Sequence, residues 1–210
     1  MIVMNRLVNA AARLKVRRHG KRGGRDLPSL WLMTDAKRMA DPVAAARHLP
    51  PGSGLILRHT DPARLRALAE ILVPFCRQRR LICLIAGDWR LAARLNADGV
   101  HLSERTARVG AAAPMMNWRR QGRRLLTIAA HGFAAMARGA RMKPDGILLS
   151  PVFATASHPG ARALGTVRFA AFTRRMSVPV MALGGVTSQT ISRLCHSGAH
   201  GIAGIGWIAD

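Results

Sequence analysis

Short apolar runs recur along the chain from residue 30 onward, and each contains only four or five residues. Runs that are mostly apolar, rather than alternating between apolar and polar residues, are typical of parallel strands buried on both faces. There are eight of them, at residues 30–33, 54–57, 81–85, 99–102, 125–128, 146–149, 179–183 and 201–205. The pattern therefore predicts eight short, buried, parallel strands.

Stretches rich in Ala, Arg and Leu separate these runs and carry their apolar residues at helical spacing. The clearest covers residues 61–78, where Asp61-Pro62 supplies an N-cap followed by a proline in the first turn. A second predicted helix begins at Thr187-Ser188 and ends at Gly198. Strands and helices are thus expected to alternate.

Eight strand–helix units predict an α/β fold, a compact (β/α)₈ or TIM barrel, a fold whose members usually have about 250 residues. A doubly wound open sheet is the alternative. It is disfavoured because Thr34-Asp35, and no glycine-rich turn, follows the first run. The chain ends at Asp210, soon after the eighth run, so the eighth helix is predicted to be missing. We expect the N-terminal segment, or the partner in a homo-oligomer, to cover the barrel there.

The first residues differ from the rest. We divide the chain into a basic N-terminal extension, residues 1–28, and a barrel, residues 29–210. Within the extension, residues 5–16 predict a short amphipathic helix whose apolar side carries Leu7, Ala11 and Leu14. A solvated tail or packing helix is the favoured interpretation. A nucleic-acid arm, a membrane-surface segment and a targeting peptide are alternatives.

Composition narrows the class of protein. Hydrophobic residues make up 49% of the chain and charged residues 20%, which allows a sizeable core and excludes wholesale disorder. No run of eighteen apolar residues occurs, so no membrane span is predicted. Lys plus Arg is 33 against 10 Asp plus Glu, a formal net charge of +23 that should attract polyanions. Three scattered cysteines without a CxxC pair indicate a reducing, cytoplasmic setting and no structural zinc.

Glycines follow the last two predicted strands. Active sites of these barrels lie at the carboxyl ends of the strands, and the loops after strands seven and eight often bind phosphate. Gly184-Gly185 and Gly204-Ile205-Gly206 stand at those two places. Glycine lets backbone N–H groups approach a phosphate closely. The sequence therefore predicts an anion cradle for small phosphorylated substrates.

Charged residues follow other strands and form a candidate cation and pyrophosphate set: Arg58, Asp88, Glu104, His131 and His158. Magnesium usually takes one or two carboxylates together with substrate phosphate oxygens. Asp88 is interpreted as such a ligand or as a helix N-cap, and both remain open. Arg58 ends an apolar strand and suits phosphate recognition. The two histidines can bond a phosphate or move a proton, whereas His101, inside a strand, is interpreted as packed.

Several segments together resemble the thiamine phosphate synthase family, in the right order over residues 30–208. NADGVHL at 96–102 is similar to the family's gAdGvHL, and SPVFATASH at 150–158 to its GPVfpTxSK loop. PVMALGGV at 179–186 resembles PVvAIGGi, and SGAHGIA at 197–203 resembles aGAdGvAv. The resemblance implies a TIM barrel that joins hydroxymethylpyrimidine pyrophosphate to thiazole phosphate and releases pyrophosphate, normally with magnesium.

Residue roles follow from the resemblance position by position. It implies that Arg58 holds the pyrophosphate and that Asp88 ligates magnesium. It also implies a set of residues at the thiazole phosphate: Thr155, Ser157, Gly184, Gly185, Ile205 and Gly206. His158 stands where the family usually has a pyrophosphate-binding lysine. The family's second magnesium aspartate is Thr106 here, with Glu104 as the available substitute, and Ala129 replaces a serine.

Two other functions stay open. The related thiazole tautomerases share a histidine at the position of His131, which would move a proton on the thiazole ring. A non-catalytic binder of phosphate ligands or nucleic acid, built on a degenerate barrel, belongs to another class; the excess charge favours it and the 4% aromatic content opposes it. The synthase is the leading hypothesis.

Overall fold

The computed structural model describes residues 2–14, 27–110, 113–155, 160 and 162–205. Its eight strands are β1 Leu30–Met33, β2 Gly54–Leu57, β3 Ile82–Ala86, β4 Gly99–Leu102, β5 Leu125–Ala130, β6 Gly146–Leu149, β7 Val180–Leu183 and β8 Gly201–Gly204. All neighbours pair in parallel in chain order, and β8 pairs with β1 to close a barrel. The prediction of a (β/α)₈ barrel is confirmed, since each apolar run became one strand.

Helix α1, Ile2–Leu14, precedes the first strand. The other helices lie in the connections between strands: α2 Pro42–Arg47, α3 Pro62–Gln78, α4 Trp89–Arg94, α5 Glu104–Val109, α6 Ala113–Gln121, α7 Phe133–Ala140 and α8 Gly165–Arg174. Helix α3 begins as predicted, because the Asp61 side chain accepts hydrogen bonds from the backbone N–H groups of its first turn. None of the described helices is long and apolar enough to cross a membrane.

The helix predicted between Thr187 and Gly198 is wrong. Only a single 3₁₀ turn, Ile191–Leu194, forms there. The Thr190 hydroxyl accepts a hydrogen bond from Thr187 N at 2.8 Å, and Thr190 N donates to the Thr187 hydroxyl at 3.3 Å. Such local bonds offer the backbone an alternative to helix, which explains why the start signal did not propagate.

Apolar side chains fill both sides of the strand cylinder. Trp31, Leu84 and Met181 lie inside the barrel, whereas most other core residues lie between strands and helices. The amino end of the barrel is closed by Leu27 and Trp31, whose indole Nε1 donates to the Pro28 carbonyl at 2.8 Å. The interior is therefore a packed core, and chemistry is confined to the carboxyl end.

Helix α1 packs against β1, β8 and the 3₁₀ turn. Leu7 and Ala11 are fully buried and Leu14 nearly so, which is the apolar side expected from the sequence. The helix thus lies where the last strand meets the first, the part of the barrel for which an intramolecular cover was expected.

Candidate active site

Arg58 is held at the carboxyl end of β2 by the two residues that follow β1. The Thr34 hydroxyl accepts from Arg58 N at 2.8 Å and donates to the Arg58 carbonyl at 2.9 Å. The Asp35 carboxylate accepts a hydrogen bond from the Arg58 guanidinium, whose side chain remains 48% exposed. The cation is therefore fixed in place at the barrel mouth and still open to an anionic ligand.

Asp35 is a strongly acidic carboxyl. Hydrogen bonds from Arg38 and from the backbone N–H of Lys37, with the charges of Arg38 and Arg58, lower its pKa from 3.8 to about 2, against the opposing effect of burial. The Arg38 guanidinium lies 3.0 Å from the carboxylate. Asp35 consequently stays ionised at every physiological pH and keeps Arg58 oriented.

His101 lies inside the barrel, close to this cation. Its Nδ1 is 2.9 Å from the Thr127 hydroxyl, and both residues are buried. Burial, and next the positive charge of Arg58, lower the pKa of His101 from 6.5 to about 4. The imidazole is therefore neutral at physiological pH, and its interpretation as a packed histidine agrees with its burial.

Glu104 and His131 form a pair across the ends of β4 and β5. Glu104 Oε2 is 2.8 Å from His131 Nδ1 and accepts from His131 N at 3.0 Å. The Arg138 guanidinium approaches the other carboxylate oxygen at 3.5 Å. A carboxylate at Nδ1 favours the tautomer with hydrogen on that nitrogen, which places the basic lone pair on Nε2.

Asp88 is the N-cap of α4, where its Oδ1 accepts from Leu91 N at 2.9 Å. It also lines a cleft of about 610 Å³ between α3 and α4, together with His59, Arg66 and Arg90. Arg94 also lines the cleft, so three arginines around one carboxylate give it a positive character. It suits a phosphorylated group that extends from the barrel mouth.

The donors in the described part of the chain do not fit a magnesium site of two carboxylates. No group of three or more His, Cys, Asp or Glu side chains comes together among the residues described. Glu104 is engaged by His131 and Arg138, and Thr106 bonds the Ser103 hydroxyl at 2.9 Å. Asp88 is thus the carboxylate left at the predicted metal position.

The glycine pair after β7 builds a tight cradle. Gly184 and Gly185 have φ of 89° and 65°, a backbone conformation that favours glycine. A Cβ on Gly185 would lie 2.3 Å from the Ala154 carbonyl oxygen, so the loop after β6 presses directly on this turn. Thr155 and Ile205 are half-buried at the same end of the barrel. The structure thus places Thr155, Gly184, Gly185 and Ile205 at the carboxyl end of the barrel.

Three predicted site residues, Ser157, His158 and Gly206, lie outside the described residues. Sequence reasoning placed Arg58, Asp88, Glu104 and His131 at the correct end of the barrel but missed what Asp35 does. The sequence contained a signal for this ion pair, since Asp35 and Arg58 follow the neighbouring strands β1 and β2 and carry opposite charges. Glu104 and His131 likewise follow the neighbouring strands β4 and β5, but the sequence does not show that their side chains bond to each other.

Known proteins similar to this chain agree with one another. The family model for thiamine monophosphate synthase matches residues 34–208. A protein of Aquifex aeolicus (strain VF5) named "Putative thiamine-phosphate synthase 2" is 30% identical over 185 residues, 86% of this chain and 97% of that protein. A thiamine-phosphate synthase of Bacillus velezensis is 25% identical over 196 residues, 89% of this chain and 85% of that protein.

A solved structure shows the same fold. The thiamine phosphate pyrophosphorylase from Pyrococcus furiosus superposes with a TM-score of 0.66 at 18% identity, covering 84% of this chain and 85% of that one. The sequence match spans most of the barrel, including Arg58, Asp88, Glu104, His131 and the glycine cradle. The chain belongs to the thiamine monophosphate synthase family.

Proposed function

We propose that the protein is a transferase of thiamine biosynthesis that joins hydroxymethylpyrimidine pyrophosphate to thiazole phosphate and releases pyrophosphate. The observation that carries the proposal is the clamp on Arg58 at the barrel mouth, in which Thr34 fixes the backbone of Arg58 and Asp35 holds its exposed guanidinium. A fixed arginine fork binds phosphate oxygens through paired hydrogen bonds. The family membership supplies the substrate class.

In the proposed reaction the bond between the pyrimidine methylene carbon and the pyrophosphate oxygen breaks, and its electron pair leaves with pyrophosphate. The thiazole nitrogen then supplies the electron pair for the new carbon–nitrogen bond. The protein's main task is to stabilise the charge that develops on the leaving group. Arg58 serves this task, and the cleft with Arg66 and Arg90 accommodates the distal phosphate. The Gly184-Gly185 turn holds the thiazole phosphate.

A synthesis assay with two matched variants tests the proposal. Thiamine phosphate is followed by thiochrome fluorescence with both substrates present. Arg58→Gln keeps a long polar side chain but removes the charge, so we expect kcat/KM to fall by about 10²-fold or more. Arg64→Gln removes one exposed charge from the first turn of α3 and should change the rate less than about threefold.

The assay also gives clear negative outcomes. If the wild-type protein forms no product, the synthase proposal fails. If it forms product and Arg58→Gln is as active as Arg64→Gln, the family activity stands but the role of Arg58 is wrong.

A second candidate function has an observation of its own. The Glu104–His131 pair orients an imidazole with a basic Nε2, the equipment of a general base. A thiazole tautomerase would use it to take a proton from one ring position of thiazole phosphate and return it to another. No pyrophosphate site is needed for that reaction.

His131→Asn separates the two functions. Tautomer exchange of thiazole phosphate is followed by NMR, and thiamine phosphate synthesis is measured in parallel. The synthase proposal predicts less than about a tenfold loss of synthesis, because proton transfer is not its difficult step. Rapid wild-type exchange that disappears in the variant, without any synthesis, would establish the tautomerase instead.

We also propose a domain division, a cellular location and a metal dependence. We assign catalysis to residues 29–210 and treat residues 1–28 as an extension, and we place the protein in the cytoplasm. Magnesium dependence is implied by the family and is tested by assaying synthesis in EDTA and after Mg²⁺ is restored. His158, Thr155 and Ser157 are assigned to phosphate binding on the resemblance.

A further inference from the structure

Exposed cations gather on the face opposite the active site. In a (β/α)₈ barrel the helices run antiparallel to the strands, so helices end and strands begin on that face. Exposed cations lie there in the loops before β3, β5 and β6 and in the last turns of α3 and α6. Six of them define what we call the basic rim: Arg77, Arg79, Arg80, Arg120, Arg123 and Lys143.

Contacts link the loops of the rim into one arc. Arg79 donates to the Arg47 carbonyl at 3.3 Å, at the end of α2, and Arg77 donates to the Asn96 carbonyl at 3.3 Å, in the loop before β4. Arg124 donates to the Ala97 carbonyl at 3.1 Å and Arg119 to the Lys143 carbonyl at 2.9 Å, which joins the loops before β4, β5 and β6. The Arg80 carbonyl accepts from Gly52 N at 2.9 Å, just before β2. At about 4.8 Å per strand, β3 to β6 spans about 14 Å, the rise of about four nucleotides at ~3.4 Å each.

Three rim residues stand where the backbone prefers another residue type. Arg80, Arg123 and Lys143 have φ of 55°, 50° and 49°, the left-handed conformation that follows the end of a helix. Glycine or asparagine usually takes this position, because a Cβ strains it. The chain thus places a long cation at three turns where a small neutral residue would be more stable.

Acidic residues in the loops before β3 to β6 do not neutralise the positive charge of the basic rim. In the described part of the chain they are Asp98 and Asp145. Asp98 accepts a hydrogen bond from Cys83 N at 2.9 Å and Asp145 accepts one from Leu126 N at 2.7 Å. Asp145 also pairs with Arg119, whose guanidinium lies 3.0 Å from its carboxylate and which is not one of the rim residues. The six cations of the rim outnumber these two carboxylates, so the rim keeps a net positive charge.

The chemistry of the rim selects the kind of partner. The exposed large hydrophobic residues in the described ranges are Ile71, Val109 and Val167, none of them aromatic and none in the rim loops. The rim therefore lacks the apolar side chains that insert into a membrane and the aromatic rings that stack on unpaired bases. Arginine, with 29 copies against four lysines in the chain, binds phosphate through a planar fork.

We propose that the basic rim binds the phosphate backbone of a nucleic-acid duplex without reading its base sequence. The site is remote from the barrel mouth, so binding and catalysis should be separable. Such binding releases counterions from the duplex, and its affinity falls with salt in proportion to the number of phosphates contacted.

Fluorescence anisotropy with a labelled 20-base-pair duplex of scrambled sequence tests the proposal on the full chain. The rim variant is Arg80→Asn, Arg123→Asn and Lys143→Asn combined, since asparagine tolerates the left-handed turn. The control, Arg64→Gln, Arg105→Gln and Arg168→Gln combined, removes three exposed charges at the other end of the barrel. At 150 mM salt we expect a wild-type Kd of about 10⁻⁶ to 10⁻⁴ M.

The rim variant should bind at least about tenfold more weakly, and its slope of log K against log salt should shrink by about 2.7, or ~0.9 for each lost contact. The control should change less than about threefold. Equal weakening of both variants, or of neither, overturns the proposal. So does rim-dependent binding to anionic lipid vesicles that exceeds binding to the duplex. Unchanged synthesis rates and an undiminished Tm in the rim variant exclude misfolding as the cause.

Discussion

Asp35 and His101 show how single residues tune the site. Asp35 is ionised because two guanidinium groups and a backbone N–H surround it, and it fixes the cation that the proposed reaction needs. His101 is neutral because it is buried beside the same cation. One carboxylate thus decides the position of Arg58, and Arg58 in turn helps to decide the charge of the histidine beneath it.

Asp35→Asn should remove part of the pH dependence of stability. The folded-state pKa of Asp35, about 2, lies below its ordinary value of 3.8, so the stabilising effect is complete above about pH 4. It is lost as pH falls toward 2. We expect the urea midpoints of wild type and Asp35→Asn to differ most above pH 4 and to converge near pH 2. Midpoints of wild type and Asp35→Asn that differ by the same amount at every pH would contradict the assignment.

Thr127→Val should destabilise the protein by about 1–3 kcal/mol, because it leaves the buried His101 Nδ1 without its hydroxyl partner. Thr127→Ser keeps the hydroxyl and should lose less. Chemical denaturation at pH 7.5 measures both. The pKa of His101 is lowered to about 4, so below about pH 6.5 the unfolded state binds a proton at this residue before the folded state does. The free energy of unfolding therefore declines as pH falls from about 6.5 to 4. Equal losses in the two variants would show that the hydrogen bond is not the cause.

Helix α1 contributes to the barrel although it precedes it in the chain. It contacts both strands that close the barrel, and its buried side chains come from the apolar face that the sequence predicts. The 3₁₀ turn after β7 is too short to cover the same surface. We therefore expect the helix to be part of the cooperative fold.

Leu7→Ala should cost about 2–5 kcal/mol of unfolding free energy, the usual loss for a fully buried leucine. Arg6→Ala, its exposed neighbour, should change stability by less than about 0.5 kcal/mol. Urea titrations followed by tryptophan fluorescence give both values. A neutral Leu7→Ala would mean that α1 is not docked in solution.

At the scale of the whole molecule, the two ends of the barrel carry different charge patterns. Carboxylates such as Asp35, Asp61 and Asp88 lie at the carboxyl end, where helices begin. The basic rim lies at the opposite end, where helices stop. Interaction with the helix dipoles favours acidic residues where helices begin and basic residues where helices end. The net charge of +23 is far larger than this effect requires.

Salt should stabilise the protein because screening weakens this self-repulsion. Raising NaCl from about 20 to 300 mM should increase Tm by about 2–6 °C. Scanning calorimetry measures the shift, and sucrose at equal osmolality serves as the uncharged control. A Tm that falls or stays constant with salt would mean that ion pairs, rather than repulsion, dominate the surface.

The barrel could be predicted from the amino-acid pattern, because eight short apolar runs separated by helical segments suit parallel strands buried on both faces. The pattern also determined which residues reach the carboxyl end, since parallel strands all end on one side. The pairing of those residues was decided only by the tertiary structure. Asp35 holds Arg58 and Glu104 holds His131 because neighbouring strand ends lie within hydrogen-bonding reach, a closeness that sequence separation conceals. The surface that α1 covers and the basic rim also form only when the barrel has closed, because each combines residues from distant parts of the chain.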